Sequence, residues 1–554
     1  MSNDNPTLPK TGIPGLTAHF KADFVSGAMI SLIALPLCLG IALASGVPPI
    51  AGLFTAIIGG ILASRVNGSF VTISGPAAGL IVVNLGAVAS LGGLDPTPEM
   101  QAQGLTYAAG YPYALAAMLV AGGFIMLFGL LRVGKLGDFF PTSVIHGMLA
   151  GIGAIIIVKQ FFVALGTESN AAPGGHGLTG DILAIPNGFM TLNPLITLIG
   201  IVSIAIIVIH PYIKIGFLRA IPAPMWVILV TIPLGRYLDI ATERSYEFMG
   251  TVYQLGPQYL VRLPENVMDG VVFPDFGKIA EMAFWFAVLS IALVTTIESM
   301  LSAVAVDSLD PHKRRTNLDK DVFGMGAGSA GSAVIGGLPM ISEIVRSSAN
   351  VTNGAQTQWS NFWHGTFLLV FLLFGKALID MIPLAALAAM LITVGFRLAS
   401  PKEFAHVLHI GKNQLFLFVL TMVMVVATDL LVGVATGIVA KMIIHLYFGA
   451  PVMNAFKAEI TTTPIQGGEL IKIKDAVIFS NYLSIKGYVL KLDKDTKKNI
   501  TLDFAEVNLV DHSVMAALHN LKNLLAERGQ TLTLANMDHM TPVSEHPLAA
   551  RLGI

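Results

Sequence analysis

Long apolar runs separated by short polar intervals fill the first four-fifths of the chain. A helix needs roughly 17–25 predominantly apolar residues to cross about 30 Å of hydrocarbon. Runs of that length predict membrane spans near 24–44, 111–131, 143–165, 191–210, 220–239, 282–306, 360–381 and 413–432. Shorter or Gly/Pro-broken runs predict others near 49–64, 72–90, 321–337, 339–352, 382–398 and 433–449, for a total of about fourteen. After about Lys457 charges return, and Leu470–Ile478 and Ile500–Phe504 read as short strands between polar turns. Leu518, Leu521, Leu524 and Leu525 give Val514–Arg528 a helical spacing, Gly529 supplies a stop, and Thr531–Leu534 reads as another strand. The expected fold is therefore an all-α polytopic membrane protein carrying a small C-terminal α/β domain.

Composition agrees with that division. With 54% hydrophobic and 12% charged residues, the chain has too little polar surface to fold as one soluble domain. A formal net charge of -1 gives no reason to expect a nucleic-acid partner. Cys38 is the single cysteine, which excludes an intramolecular disulfide and a cysteine-clustered metal site. Residues 1–22 lack the basic-then-apolar order of a cleaved leader, so the first span is expected to be retained after a short cytoplasmic segment.

Basic residues are retained in short cytoplasmic loops. With the N-terminus inside, Arg65, Arg132 with Lys135, Lys214 with Arg219, His312–Arg315, and Arg397 with Lys402 all fall inside. The loops Leu91–Gly110 and Phe161–Met190 then lie outside, and neither contains Lys or Arg. The long loop Arg236–Glu281, also outside, is the exception. This register predicts a multi-pass protein of the cytoplasmic (inner) membrane with both termini in the cytoplasm. The transmembrane region would occupy 23–452, as repeats of about 23–240 and 282–450, followed by the α/β domain at 457–554. Seven spans followed by seven more are upside down relative to each other, a common transporter plan. The third and tenth spans then correspond. Both are broken, one around Thr72-Ile73-Ser74-Gly75-Pro76-Ala77-Ala78-Gly79 and the other after Gly336-Gly337-Leu338-Pro339-Met340-Ile341-Ser342.

Ionisable residues stand at membrane depth around the two broken spans. Glu298 interrupts the run Met282–Val306, and Glu343 and Arg346 follow in the tenth span. A charge there costs on the order of 2.5–3.5 kcal/mol on insertion scales, and such residues mark substrate or ion paths. Glu298 and Ser302 share one helical face, where the carboxylate can carry a proton or, when ionised, hold Na⁺ with the hydroxyls. Two half-helices meeting at mid-membrane would aim their N–H groups at one point, with Ser74 and Ser342 as caps and Pro76 in a first turn. Arg346 can grip an anion, although Glu343 stands at the i,i+3 distance for an ion pair.

The ordered set of motifs resembles the sulfate permease (SulP) family, the bacterial relatives of solute carrier family 26. It comprises Asp23-x-x-x-Gly27 with Pro36, Ala44, Gly46 and Gly52-Leu53, then Ser74-Gly75-Pro76, Glu298-Ser299-Met300-Leu301-Ser302-Ala303, and Gly336-Gly337-Leu338-Pro339 followed by Arg346. Leu502-Asp503-Phe504-Ala505 and Val510-Asp511-His512-Ser513 look like the sulfate transporter and anti-sigma-factor antagonist (STAS) domain that ends most members. The resemblance implies seven-plus-seven inverted repeats arranged as core and gate domains. It places a small inorganic or organic anion between spans three and ten, at Ser74, Gly75, Pro76, Ala77, Ser342, Glu343, Ile344 and Arg346, with ion coupling at Glu298. It also implies a homodimer and matches Ser513 to a phosphorylated position, although Val514 replaces the glycine usual there. Glu343 departs from the family pattern.

With Glu298, Glu343 and Arg346 all ionised the site is net negative, so a carboxylate must be neutralised when an anion binds, or else the solute carries positive charge. The expectation is a secondary transporter of bicarbonate, sulfate or a small carboxylate, coupled to H⁺ or Na⁺, without enzymatic activity, cofactor or bound metal beyond that ion. Its partners would be the solute, membrane lipid, a second copy, and a cytosolic protein at the tail. Open alternatives are a carrier of a nucleobase or of a cationic or zwitterionic solute using Glu298 and Glu343, and a channel-like, anion-sensing or signalling protein. Gly326-x-Gly328-x-x-Gly331 reads as helix packing rather than a nucleotide fingerprint, and His146 and His364 as hydrogen-bonded structural residues.

Overall fold

The computed structural model describes residues 8–102, 106–134, 141–167, 178–216, 218, 221–455, 457–465, 468–496, 499–527 and 529–553. Lys135, Arg219, Arg528, the first seven residues and parts of the two loops expected outside lie beyond these. In chain order the first half contains α1 (Phe20–Ala44), α2 (Pro49–Ile58), β1 (Ile73–Gly75), α3 (Ile81–Leu91), α4 (Tyr111–Leu130), α5 (Thr142–Leu165), α6 (Pro194–Ile209) and α7 (Ala223–Tyr237). A hairpin of β2 (Arg244–Phe248) and β3 (Thr251–Leu255) follows. The second half contains α8 (Met282–Leu309), α9 (Leu318–Val334), β4 (Ile341–Glu343), α10 (Ile344–Thr352), α11 (Trp359–Phe374), α12 (Leu384–Leu398), α13 (Pro401–Ile410), α14 (Lys412–Ala427) and α15 (Leu430–Tyr447). Among the described residues eight helices are long and apolar enough to cross a membrane, and the other predicted stretches hold shorter helices.

Polar residues punctuate these apolar helices where chain direction changes. Asn193 accepts a hydrogen bond from Ile196 N–H with Pro194 in the first turn of α6, and Asn317 and Asp429 accept in the same way at the starts of α9 and α15. The hairpin turns on Met249 and Gly250, both at positive φ as a two-residue turn requires. It lies inside the long loop and was not foreseen.

The chain forms two compact units, Met1–Gly134 with Ile152–Arg397, and Lys135–Gly151 with Leu398–Ile554. In the first, β1 and β4 pair antiparallel, Ile73 with Glu343, Ser74 with Ser342 and Gly75 with Ile341. Each strand leads into a short helix, so spans three and ten are both extended before they are helical. Extended backbone at this depth is tolerated only where protein surrounds it, and every residue of the pair except half-buried Glu343 is buried. The glycine run of α9 packs closely on α4, since a β-carbon on Gly326 would lie 2.5 Å from Met126 N. Gly326 thus packs as expected, and Gly328 lies against Met340 Sδ and the Ala63 side chain, whereas Gly331 has only looser side-chain neighbours.

In the second unit, β5 (Ile460–Ile465), β6 (Gly468–Val477), α16 (Tyr482–Thr496), β7 (Asn499–Val510), α17 (His512–Glu527), β8 (Leu532–Ala535), β9 (Met540–Pro542) and β10 (Arg551–Gly553) form an α/β domain. β6, β7 and β8 run parallel with α16 and α17 as crossovers, as parallel neighbours require. Ile471, Leu502, Phe504, Val514, Leu518 and Leu525 form its core.

Candidate substrate and ion site

The mouth of span three is held by a neighbouring helix rather than by its own serine. Asn361 of α11 accepts from Ser74 N–H through Oδ1 at 3.3 Å and donates through Nδ2 to Ser74 Oγ at 3.2 Å. The helix begins only at Ala78, with buried Ala77 as an N-cap that makes no side-chain bond. Two expectations are corrected here. Ser74 lies in a strand, too far upstream to cap, and Pro76 precedes the helix instead of entering its first turn. In span ten the cap is Glu343, whose Oε2 accepts from Arg346 N–H at 2.7 Å, and Ile344 is the first helical residue. Ser342 is not the cap, because its Oγ donates to Asp321 Oδ2 at 3.1 Å and its N–H donates to Ser299 Oγ at 3.3 Å.

Arg346 joins the two broken spans. It is 1% exposed, and its Nη2 donates to the carbonyl of Pro76, while Nη1 lies 3.6 Å from Cys38 Sγ. A β-carbon on Gly75 would lie 2.6 Å from Nη1, so glycine leaves the guanidinium its place beside β1. Nε lies 3.7 Å from Glu343 Oε2, which makes the expected i,i+3 pair real and loose.

Glu298 approaches from α8. It is 5% exposed, its Oε1 is buried without a hydrogen-bond partner among the described residues, and the Oγ1 of Thr295, one turn earlier, is likewise unpartnered. The carboxylate lies against Gly79, in the first turn after the β1 mouth, and within electrostatic reach of Glu343. Ser302 is half-buried on the same helix and makes no hydrogen bond to Glu298. The geometry therefore brings together Ser74, Gly75, Pro76, Ser342, Glu343 and Arg346, with Glu298 beside them.

Several residues in this network were not anticipated. Asn361, Asp321 and Cys38 are named above, and Ser347 Oγ accepts from Ile73 N–H at 2.9 Å. Asn361 alone among them is marked by being a polar side chain inside an apolar run. Elsewhere, His146 Nδ1 meets Glu403 at 3.3 Å as expected of a structural histidine. His364 is buried with neither ring nitrogen hydrogen-bonded among the described residues, which corrects its expected role. Ser513 is buried, and its Oγ accepts from Thr142 N–H at 3.3 Å at the start of α5.

Comparison with known proteins bears on the family and the fold. The model of the sulfate permease family matches residues 20–421. A putative sulfate transporter of Bacillus subtilis, YvdB, is 25% identical over 94% of this chain and 92% of its own. The solved transmembrane domain of a cyanobacterium bicarbonate transporter, BicA, superposes with a TM-score of 0.60 at 26% identity, covering 75% of this chain and 97% of that one. The murine anion transporter Slc26a9, solved in an inward-facing state, is similar in fold, with a TM-score of 0.65 at 15% identity over 95% of this chain and 86% of that one.

Proposed function

Because this chain belongs to the sulfate permease family, we propose that it is a secondary active transporter that moves a small anion across the cytoplasmic membrane with H⁺ or Na⁺. The observation that carries this reading is Arg346, a buried guanidinium bonded across the mouths of two opposed broken spans, with Glu298 beside it, whose Oε1 has no hydrogen-bond partner among the described residues. The helix starts after Ala77 and Glu343 present N–H groups that lack intrahelical partners, a setting that suits an anion.

Charge counting supplies the coupling. Glu343, Glu298 and Arg346 sum to minus one when all are ionised, and the site repels an anion. A proton or Na⁺ on Glu298 brings the three to zero, and the helix termini then favour negative charge. The anion and its driving cation thus load together. Glu343 is engaged with the start of its own helix, which favours the anion over a cationic or nucleobase cargo. Bicarbonate leads over sulfate and small carboxylates, on the likeness to the bicarbonate transporter's transmembrane domain. The working cycle moves a core carrying both broken spans against a gate, in a homodimer with both termini and the STAS-like domain in the cytoplasm.

Proteoliposome uptake of labelled bicarbonate and sulfate under imposed pH or Na⁺ gradients tests this reading. Uptake should follow one gradient, and Glu298→Gln should abolish gradient-driven accumulation while sparing exchange. Flux indifferent to both gradients, or a fully active Glu298→Gln, would overturn it.

A further inference from the structure

The second compact unit contains a cavity unrelated to the site above. About 400 Å³ in volume, it lies between α13, α14 and α15 and the strands β7 and β10 of the C-terminal sheet. Leu417, Ile444, Phe448, Leu509 and Leu552 make most of its wall apolar, and Gln414, Lys441, His445 and Asp511 make one end polar. Pockets of this size with few convergent polar groups are typical of small-ligand sites.

The polar end is incompletely satisfied. Lys441, 1% exposed, places Nζ 3.2 Å from Gln414 Oε1 and 3.8 Å from Asp511 Oδ1. An ammonium has three protons to donate, so one remains. His445, also buried, faces Asp511 through Nε2 at 3.5 Å, and its buried Nδ1 has no partner among the described residues. Lys441 and Asp511 cancel in charge, and exposed Lys412 at the rim leaves the lining positive.

We propose that this cavity binds a small amphiphilic carboxylic acid. One carboxyl oxygen accepts the remaining proton of Lys441, the other shares a proton with His445 Nδ1, and the apolar body lies along Ile444, Phe448 and Leu552. The walls come from α14 and α15 on one side and from the C-terminal sheet on the other, so an occupant links the tail domain to those helices and stabilises this unit.

Thermal unfolding of the full-length protein in nonionic detergent, with octanoate or octylamine at equal concentration, tests the site. Octanoate should raise the midpoint and octylamine should not. Ala550→Phe and Ile444→Trp fill the cavity from opposite sides without removing a polar group, and either should abolish the octanoate shift. Arg346→Lys, in the transport site, should keep it. Absence of a shift in the wild type, an equal shift with octylamine, or a shift that survives both cavity-filling variants would overturn the proposal. A shift lost only in Arg346→Lys would place the acid at the transport site, overturning this proposal and leaving the transport reading intact.

Discussion

The carboxylate of Glu298 occupies the space that a side chain on Gly79 would need, since a β-carbon there would collide with both carboxylate oxygens and with the carbon that bears them. The contact joins α8 to the first turn of span three. Gly79→Ala must displace one or the other, at about 1–3 kcal/mol for overpacking. We expect a lower thermal midpoint and weakened gradient-driven uptake, read by unfolding in detergent and by flux on the same preparation.

Glu343 has two effects that substitution separates. As an N-cap it stabilises the start of α10, and as a carboxylate it would oppose an anion at the proposed site. Glu343→Gln keeps an acceptor oxygen and removes the charge, so anion affinity should rise with little loss of stability. Glu343→Ala also removes the cap, costing about 0.5–2 kcal/mol. Anion titration by calorimetry together with unfolding midpoints distinguishes the two effects.

Asp23 should prove structural. Its Oδ1 accepts from Gln356 N–H at 2.8 Å and Thr357 N–H at 3.1 Å, and Oδ2 accepts from the Thr357 hydroxyl at 2.5 Å, tying α1 to the chain entering α11. Asp23→Ala strands those donors at about 1–3 kcal/mol each, whereas Asp23→Asn retains an acceptor and should lose less. Denaturation midpoints of the two variants should rank in that order.

Asp511 carries a pH signature. Burial alone would raise its carboxyl, but Lys441, His445 and the N–H groups of Phe479 and Ser513 hold it below the ordinary aspartate range. A depressed native value gives stability that is fully present above the unfolded pKa, about 3.9, and is lost as pH falls through the native value. Asp511→Asn should cost about 3–5 kcal/mol at neutral pH by leaving Lys441 buried without its counter-charge. The gap between variant and wild-type midpoints should narrow below about pH 4.

The legible parts of this molecule were those written locally. Apolar runs located the long helices but not those at Leu178–Met190, read as loop, and Pro401–Ile410, and the break at Ser74-Gly75-Pro76 together with its counterpart before Ser342 located the mouths. Leucine spacing found α17. The β1–β4 ladder was hidden because its strands are three residues long, too short to alternate, and their partners lie more than 260 residues apart, as the register Ser74 with Ser342 shows. Assigning the caps to Ser74 and Ser342 relied on residue type, while the fold gave those serines to Asn361, Asp321 and Ser299. Glu343 caps because it stands immediately before the helix. α16, the outer hairpin and the final two strands of the tail went unread: α16 mixes charge with weak apolar periodicity, and the strands owe their pairing to β7 and to each other.

Main-chain hydrogen bonding in the ladder fixes the distance between the two mouths. On the proposed transport reading, cargo preference would therefore be hard to alter by widening or narrowing that gap, since any change in width must break backbone pairing in the interior. On that reading, a change of cargo is expected to come instead from the decorations around a constant frame, at positions such as Ala77, Glu343 and Ile344, where a single exchange alters charge or bulk and leaves the scaffold standing.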